Sequence, residues 1–243
     1  MHVGYAMKFF HIDWLPEPCW GYQLVNRFHE SSNPALKDRF KRYWPKQQMI
    51  AFATKRELIR VIQCQFNQEV AKLSEELAKK NAEIQQCLPE HRALRLADSE
   101  LGFRLVAGID AFIFESRSAY EILGAVVREI AGNILGKKVD QKLLREVLET
   151  KGHDTKWIND LHDERIGFFH QTAPWIAVAV TESKPPYEIR VLRRNPHDRE
   201  CDVSAAFPLD MLNRIFFGFR EAVAVIEGWL LEGIDQAERG AAS

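Results

Sequence analysis

For its 243 residues the chain is short of chain-breakers and cross-linkers, with 13 glycines, 10 prolines and 4 cysteines. That scarcity excludes collagen-like and low-complexity architectures. Cys19, Cys64, Cys87 and Cys201 share no Cys-x-x-Cys spacing, which argues against zinc ribbons and thioredoxin-type redox motifs. Cys64 and Cys87 fall inside a helical pattern and are expected as small buried hydrophobes. No stretch approaches the roughly 18 uninterrupted apolar residues of a membrane span. The opening residues lack a basic segment followed by an apolar one, so no export signal is expected and a reducing cytoplasm is the expected compartment. An excess of charge is missing as well: 33 Lys+Arg face 34 Asp+Glu, a formal net charge of −1. No global field therefore draws the chain to nucleic acid, and any such contact must be local. The signatures GxGxxG, GxxxxGKS or GxxxxGKT, GxSxG and HExxH are absent, which removes the common nucleotide, hydrolase and zinc-protease motifs.

What the chain has is aromatic bulk, 15 Phe, 6 Trp and 5 Tyr, and enough length to bury it. Residues 1–46 hold aromatics between Pro16, Pro18, Pro34 and Pro45 with no 3.6-residue period, so an irregular or β-containing cover segment is expected there. Beyond it, Ile59, Ile62, Phe66, Val70, Leu73, Leu77, Ile84 and Leu88 recur at helical steps and predict an amphipathic helix over 47–86. A second long helix is expected from Asp98, striped by Leu105, Ile109, Phe112, Ser116, Ala119, Leu123, Val126, Ile130 and Ile134, and ended by Asn133 and Gly136. The small Ser116 and Ala119 permit close helix approach in mid-stripe. Shorter helices are predicted over 140–149 and 154–171, then a β-hairpin over 175–194 turning at Lys184-Pro185-Pro186. Leu209, Leu212, Phe216, Phe219, Val223, Ile226 and Leu230 alternate steps of three and four, the stripe of a last helix. Strands and helices do not alternate, so a mainly α fold follows: a bundle of about five helices over 47–243 with a small β-hairpin insertion.

Among the histidines, His153, His162 and His197 each precede an aspartate. In a helical protein such pairs resemble the metal-dependent phosphohydrolases of the HD type, whose His and Asp ligate a divalent ion. A more specific pattern is Arg165-Ile166-Gly167-Phe168-Phe169-His170, late in the helical series. An Arg-x4-His motif in this setting resembles the HEPN superfamily of helical bundles, and the segment from Asp110 to Tyr120 is similar to a core helix of some members. The similarity covers residues 98–235.

The resemblance implies a metal-independent ribonuclease without cofactor, working as a homodimer whose Arg and His pairs meet across a two-fold. It implies His170 as general acid and base, since a histidine near its ordinary pKa can both take and give a proton. It implies Arg165 as the clamp on the phosphate, because a guanidinium holds fixed positive charge against the developing oxygens. RNA or a nucleotide is then the ligand, and an antitoxin-type protein is an expected partner. Glu115 and Arg117 are the supporting residues. A structural alternative stays open, in which Arg165 pairs with a buried acid, Glu115, and His170 caps a helix end. Ile166 stands where active members usually carry a polar residue, which keeps a non-catalytic nucleotide-binding or interaction module in view. Arg190, Arg193 and Arg194 form a basic hairpin end suited either to a phosphate backbone or to a solvated strand edge that resists aggregation.

Overall fold

The computed structural model describes residues 20–87, 100–162, 175–179, 185–192 and 206–240. It opens on two short helices, α1 (Tyr22–Glu30) and α2 (Pro34–Tyr43), where an irregular or β cover was expected. Each buries one i,i+4 pair, Leu24 with Phe28 and Leu36 with Phe40, too short a stripe to register as a period. Nor do the prolines forbid helix here. Pro34 sits in the first turn of α2, behind Asn33, whose side-chain oxygen accepts from the backbone N–H of Ala35 and Leu36 at 3.1 and 3.2 Å. Pro45 immediately precedes α3 (Lys46–Lys79). Both occupy positions where a missing N–H costs nothing.

The chain breaks briefly at Lys80 before α4 (Asn81–Cys87), close to the expected end of the first long helix. The second long helix is α5 (Leu101–Glu129); among the described residues α3 and α5 make the most extensive helix pairing. Ser116 and Ala119 are buried in it as expected, and a Cβ added to Gly108 would stand 3.1 Å from the Phe66 ring. One expectation fails on α3. Cys64 is exposed, and its neighbour Gln63 takes the inward position after Ile59. The cost of that buried amide is met in part by Nε2, which donates to Asn67 Oδ1 at 3.2 Å and to Asn213 Oδ1 at 2.8 Å.

α5 ends in a π turn, Ile130–Ile134, in which Leu135 N donates to Ile130 O at 2.9 Å. Gly136, at φ 68°, then reverses the chain, as its place in the sequence suggested. α6 (Leu143–Thr150) and α7 (Lys156–His162) follow, separated by Gly152 at φ 72°. The hairpin also forms: β1 (Trp175–Ala179) runs antiparallel to β2 (Glu188–Leu192), with Trp175 opposite Leu192 and Ala177 opposite Arg190. A two-residue β3 (Phe207–Pro208) pairs with β2 on its other side. The last helix, α8 (Asp210–Arg239), buries Leu212, Phe219, Val223, Ile226 and Leu230. The fold is mainly α with a small antiparallel sheet. Among the described residues there are eight α-helices, the additions to the expected five being α1, α2 and α4. No described helix is long and apolar enough to cross a membrane.

The acids of α8 tie the bundle together. Glu227 accepts from Gly21 N at 3.1 Å, Asp235 pairs with Arg27 at 2.7 Å, and Glu232 pairs with Lys151 at 2.6 Å. The aromatics are arranged as a connected series of rings. Trp20 meets Phe52 at 4.8 Å, Phe52 meets Phe219 at 6.2 Å, and Phe219 meets Trp157 at 5.8 Å. Trp157 then reaches Tyr120 at 5.8 Å, and Tyr120 reaches His162 at 5.3 Å. Edge-to-face pairs of this kind add to the burial of the rings themselves. They lead from α1 through the core to the end of α7.

Candidate functional site

The end of α7 is held against α5 by one side chain. Arg117 Nε donates to the backbone carbonyl of Leu161 at 2.9 Å. One turn along α5, Tyr120 meets the His162 ring edge-on. Burial lowers the His162 pKa from the ordinary histidine value, Arg117 and Arg145 lower it further, and Glu121 opposes them. Burial pushes the Tyr120 hydroxyl up, against the pull of Arg145 and Arg128. Two more turns along α5, Arg128 folds back over Gly124, where an added Cβ would lie 3.2 Å from its Nη1. Among the described residues Arg128 has no acidic partner. Arg145, on α6, pairs with Glu149 at 3.4 Å and donates to the Asn159 side chain on α7. Three guanidiniums from two helices therefore bear on one tyrosine and one histidine.

A polar groove of about 440 Å³ lies on another side of α7, between it and α8. Its walls are His153, Asp154, Lys156, Asn159, Asp160, Arg214 and Glu221, with Trp157 and Gly218 between them. Trp157 lies flat on α8 only because residue 218 has no side chain: an added Cβ would be 2.4 Å from its Cδ1. His153 Nε2 sits 3.3 Å from Gly218 O, and Arg214 pairs with Asp160 at 3.2 Å.

Arg165 and His170 lie outside the described residues, as do Arg193, Arg194, Phe168, Phe169 and the His197-Asp198 pair. Glu115 is described, and its partner is Lys55, 2.6 Å away. Lys55 also lies over the Phe114 ring, at 5.6 Å. Arg117 is committed in part to Leu161. Glu115 and Arg117 thus leave α5 toward different neighbours, one toward α3 and one toward α7. Arg190 pairs with Glu188 on its own strand at 2.9 Å, and that strand is the central one of the sheet, paired with β1 and β3, so it is not the solvated edge that the sequence left open. Sequence reasoning did not single out Lys55, Tyr120, Arg128 or Arg145. The nearest signal was the spacing of Arg117, Tyr120, Gly124 and Arg128, three or four residues apart along one side of α5.

His153 and His162 bear on the metal reading. His153 Nε2 sits 3.3 Å from Gly218 O, and the His162 ring meets Tyr120 edge-on. Among the described residues no group of three or more His, Cys, Asp or Glu is placed to hold a metal ion. No family model, curated protein or solved structure matches the chain.

Proposed function

We propose that this chain is a HEPN-like RNA-binding protein that cleaves RNA without a metal, as a cytoplasmic homodimer, in a toxin or defence setting with an antitoxin-type protein partner. His170 is the general acid and base, and Arg165 is the phosphate clamp. The observation that supports it most is the set of Arg117, Arg128 and Arg145 bearing on Tyr120 and His162, three residues before Arg165. Guanidiniums gathered from two helices, one of them, Arg128, with no acidic partner among the described residues, suit a phosphodiester backbone. Burial, Arg117 and Arg145 disfavour the charged form of His162, and a neutral imidazole can exchange a hydrogen bond with a ribose hydroxyl without adding charge.

RNA cleavage measured in EDTA, for the native protein and for His170→Ala, tests this reading. Cleavage by the native protein that His170→Ala abolishes supports it; no cleavage by either removes the catalytic part. The second reading, a non-catalytic nucleotide-binding or interaction module, is favoured by the ties of Glu115 to Lys55 and of Arg117 to Leu161. Those bonds employ both supporting residues in holding helices together.

A further inference from the structure

The cationic cluster and the groove between α7 and α8 share a wall. Arg145, which bears on Tyr120 and His162, donates to Asn159, and Asn159 lines the groove. A strand whose phosphates lay along the guanidiniums would therefore pass the groove's mouth. We infer that this groove takes one unstacked nucleobase of a single-stranded RNA, an inference that rests on the RNA reading above.

Charge separates the two parts. Around Tyr120 and His162, Arg117, Arg128 and Arg145 act against Glu121; Arg145 also pairs with Glu149, while Arg128 has no acidic partner among the described residues. In the groove Asp154, Asp160 and Glu221 outnumber Lys156 and Arg214, and Arg214 is already paired with Asp160. A phosphate entering there would meet more negative charge than positive. A base is uncharged and carries both donors and acceptors on its edges, which is how single-stranded RNA is read.

The groove offers both kinds of partner. The Glu221 carboxylate and the Asn159 amide nitrogen have no hydrogen-bond partner among the described residues, so one acceptor and one donor remain available. Lys156 stands exposed at the rim. The volume of about 440 Å³ lies within the range of small-ligand sites and well short of a duplex. Next to Gly218 on α8, Phe217 is 47% exposed, with the Arg220 guanidinium over its ring at 5.3 Å. That pair supplies a flat face on which a neighbouring base can stack.

The test compares two fluorescent 2′-O-methyl oligoribonucleotides of equal length and charge, one bearing uniform bases and one abasic throughout. Neither can be cut through a 2′-hydroxyl, so anisotropy reads binding alone. The native full-length protein should bind the base-bearing probe about tenfold more tightly than the abasic one. Glu221→Met and Lys156→Met, both at exposed rim positions and each made in a Phe217→Ala background, fill the groove with side chains that offer no aromatic face to a base. Each should remove the preference while leaving the abasic-level affinity in place. Equal affinity of the native protein for both probes overturns the base site and leaves the RNA reading standing. A preference that survives both substitutions in that background also overturns it. Failure to bind either probe overturns the RNA reading itself, and the base site with it.

Discussion

Arg117 Nε donates to the Leu161 carbonyl at 2.9 Å, across 44 residues of sequence. This bond ties the last described turn of α7 to α5. Arg117→Gln should cost about 1–3 kcal/mol in urea denaturation, the range for a hydrogen bond made by a charged donor. Arg117→Lys, which keeps the charge but loses the planar fork, should recover part of that loss.

The same arginine is linked to the titration of His162. Burial and Arg117 together lower that pKa, so the folded chain binds the proton less tightly than the unfolded chain. The stability this histidine contributes is present above its ordinary unfolded value and is lost as pH falls through the lowered one. Arg117→Gln should move the His162 midpoint upward in a proton NMR titration, whereas Arg117→Lys should leave it nearly in place. A midpoint unmoved by Arg117→Gln would assign the shift to burial and Arg145.

Two glycines of α8 provide a matched pair. At Gly218 an added Cβ meets the Trp157 indole at 2.4 to 2.8 Å, while at Gly228 nothing lies within 4 Å. Gly218→Ala should destabilise by about 1–3 kcal/mol through overpacking. Gly228→Ala should stabilise by up to about 1 kcal/mol, because alanine is the better helix former. Thermal denaturation of the two variants should show shifts of opposite sign.

Periodicity made the long elements legible. The stripes on α3, α5 and α8, the glycine stops at 136 and 152 and the hairpin over 175–194 could be read because each repeats one physical preference over many residues or places a glycine at positive φ. α1 and α2 could not, since one buried pair per helix is below what a period can show and Pro34 and Pro45 looked like breakers. Gln63 escaped for a related reason: its polarity removed it from the stripe, yet Asn213 on α8, 150 residues away, supplies the partner that lets it enter the core. The cationic cluster was hidden likewise. Arg128 and Arg145 stand on different helices, and only the turn through Gly136 brings them to the same tyrosine.

Glu115 and Lys55, 2.6 Å apart and each partly buried, join α3 to α5. If this pair is structural, Glu115→Gln should cost no more than about 1 kcal/mol, the range of ion pairs still in contact with water. It should leave RNA cleavage and RNA affinity at the native level. Lys55→Met should weaken stability by a similar amount, and the double variant should lose less than the two singles combined, as expected for residues in direct contact. A loss of cleavage in Glu115→Gln with unchanged urea stability would instead return this acid to the active centre.

Glu227 reports on the attachment of the N-terminal helices. Burial raises its pKa above the ordinary 4.5, while the Gly21 backbone N–H and the charge of Arg56 pull the other way. The folded chain therefore binds this proton more tightly than the unfolded chain. The stability it contributes is complete below the unfolded value of 4.5 and is lost as pH rises through the raised folded value. Glu227→Gln keeps an oxygen that can accept from Gly21, at 3.1 Å in the native chain, and removes the buried charge. It should match or exceed native stability at pH 7 and should flatten the pH dependence above 4.5, both read by urea denaturation. Glu227→Leu separates the two effects: it also removes the charge, but leaves Gly21 N without its acceptor. It should therefore be less stable than Glu227→Gln at every pH, with faster amide hydrogen exchange at Gly21.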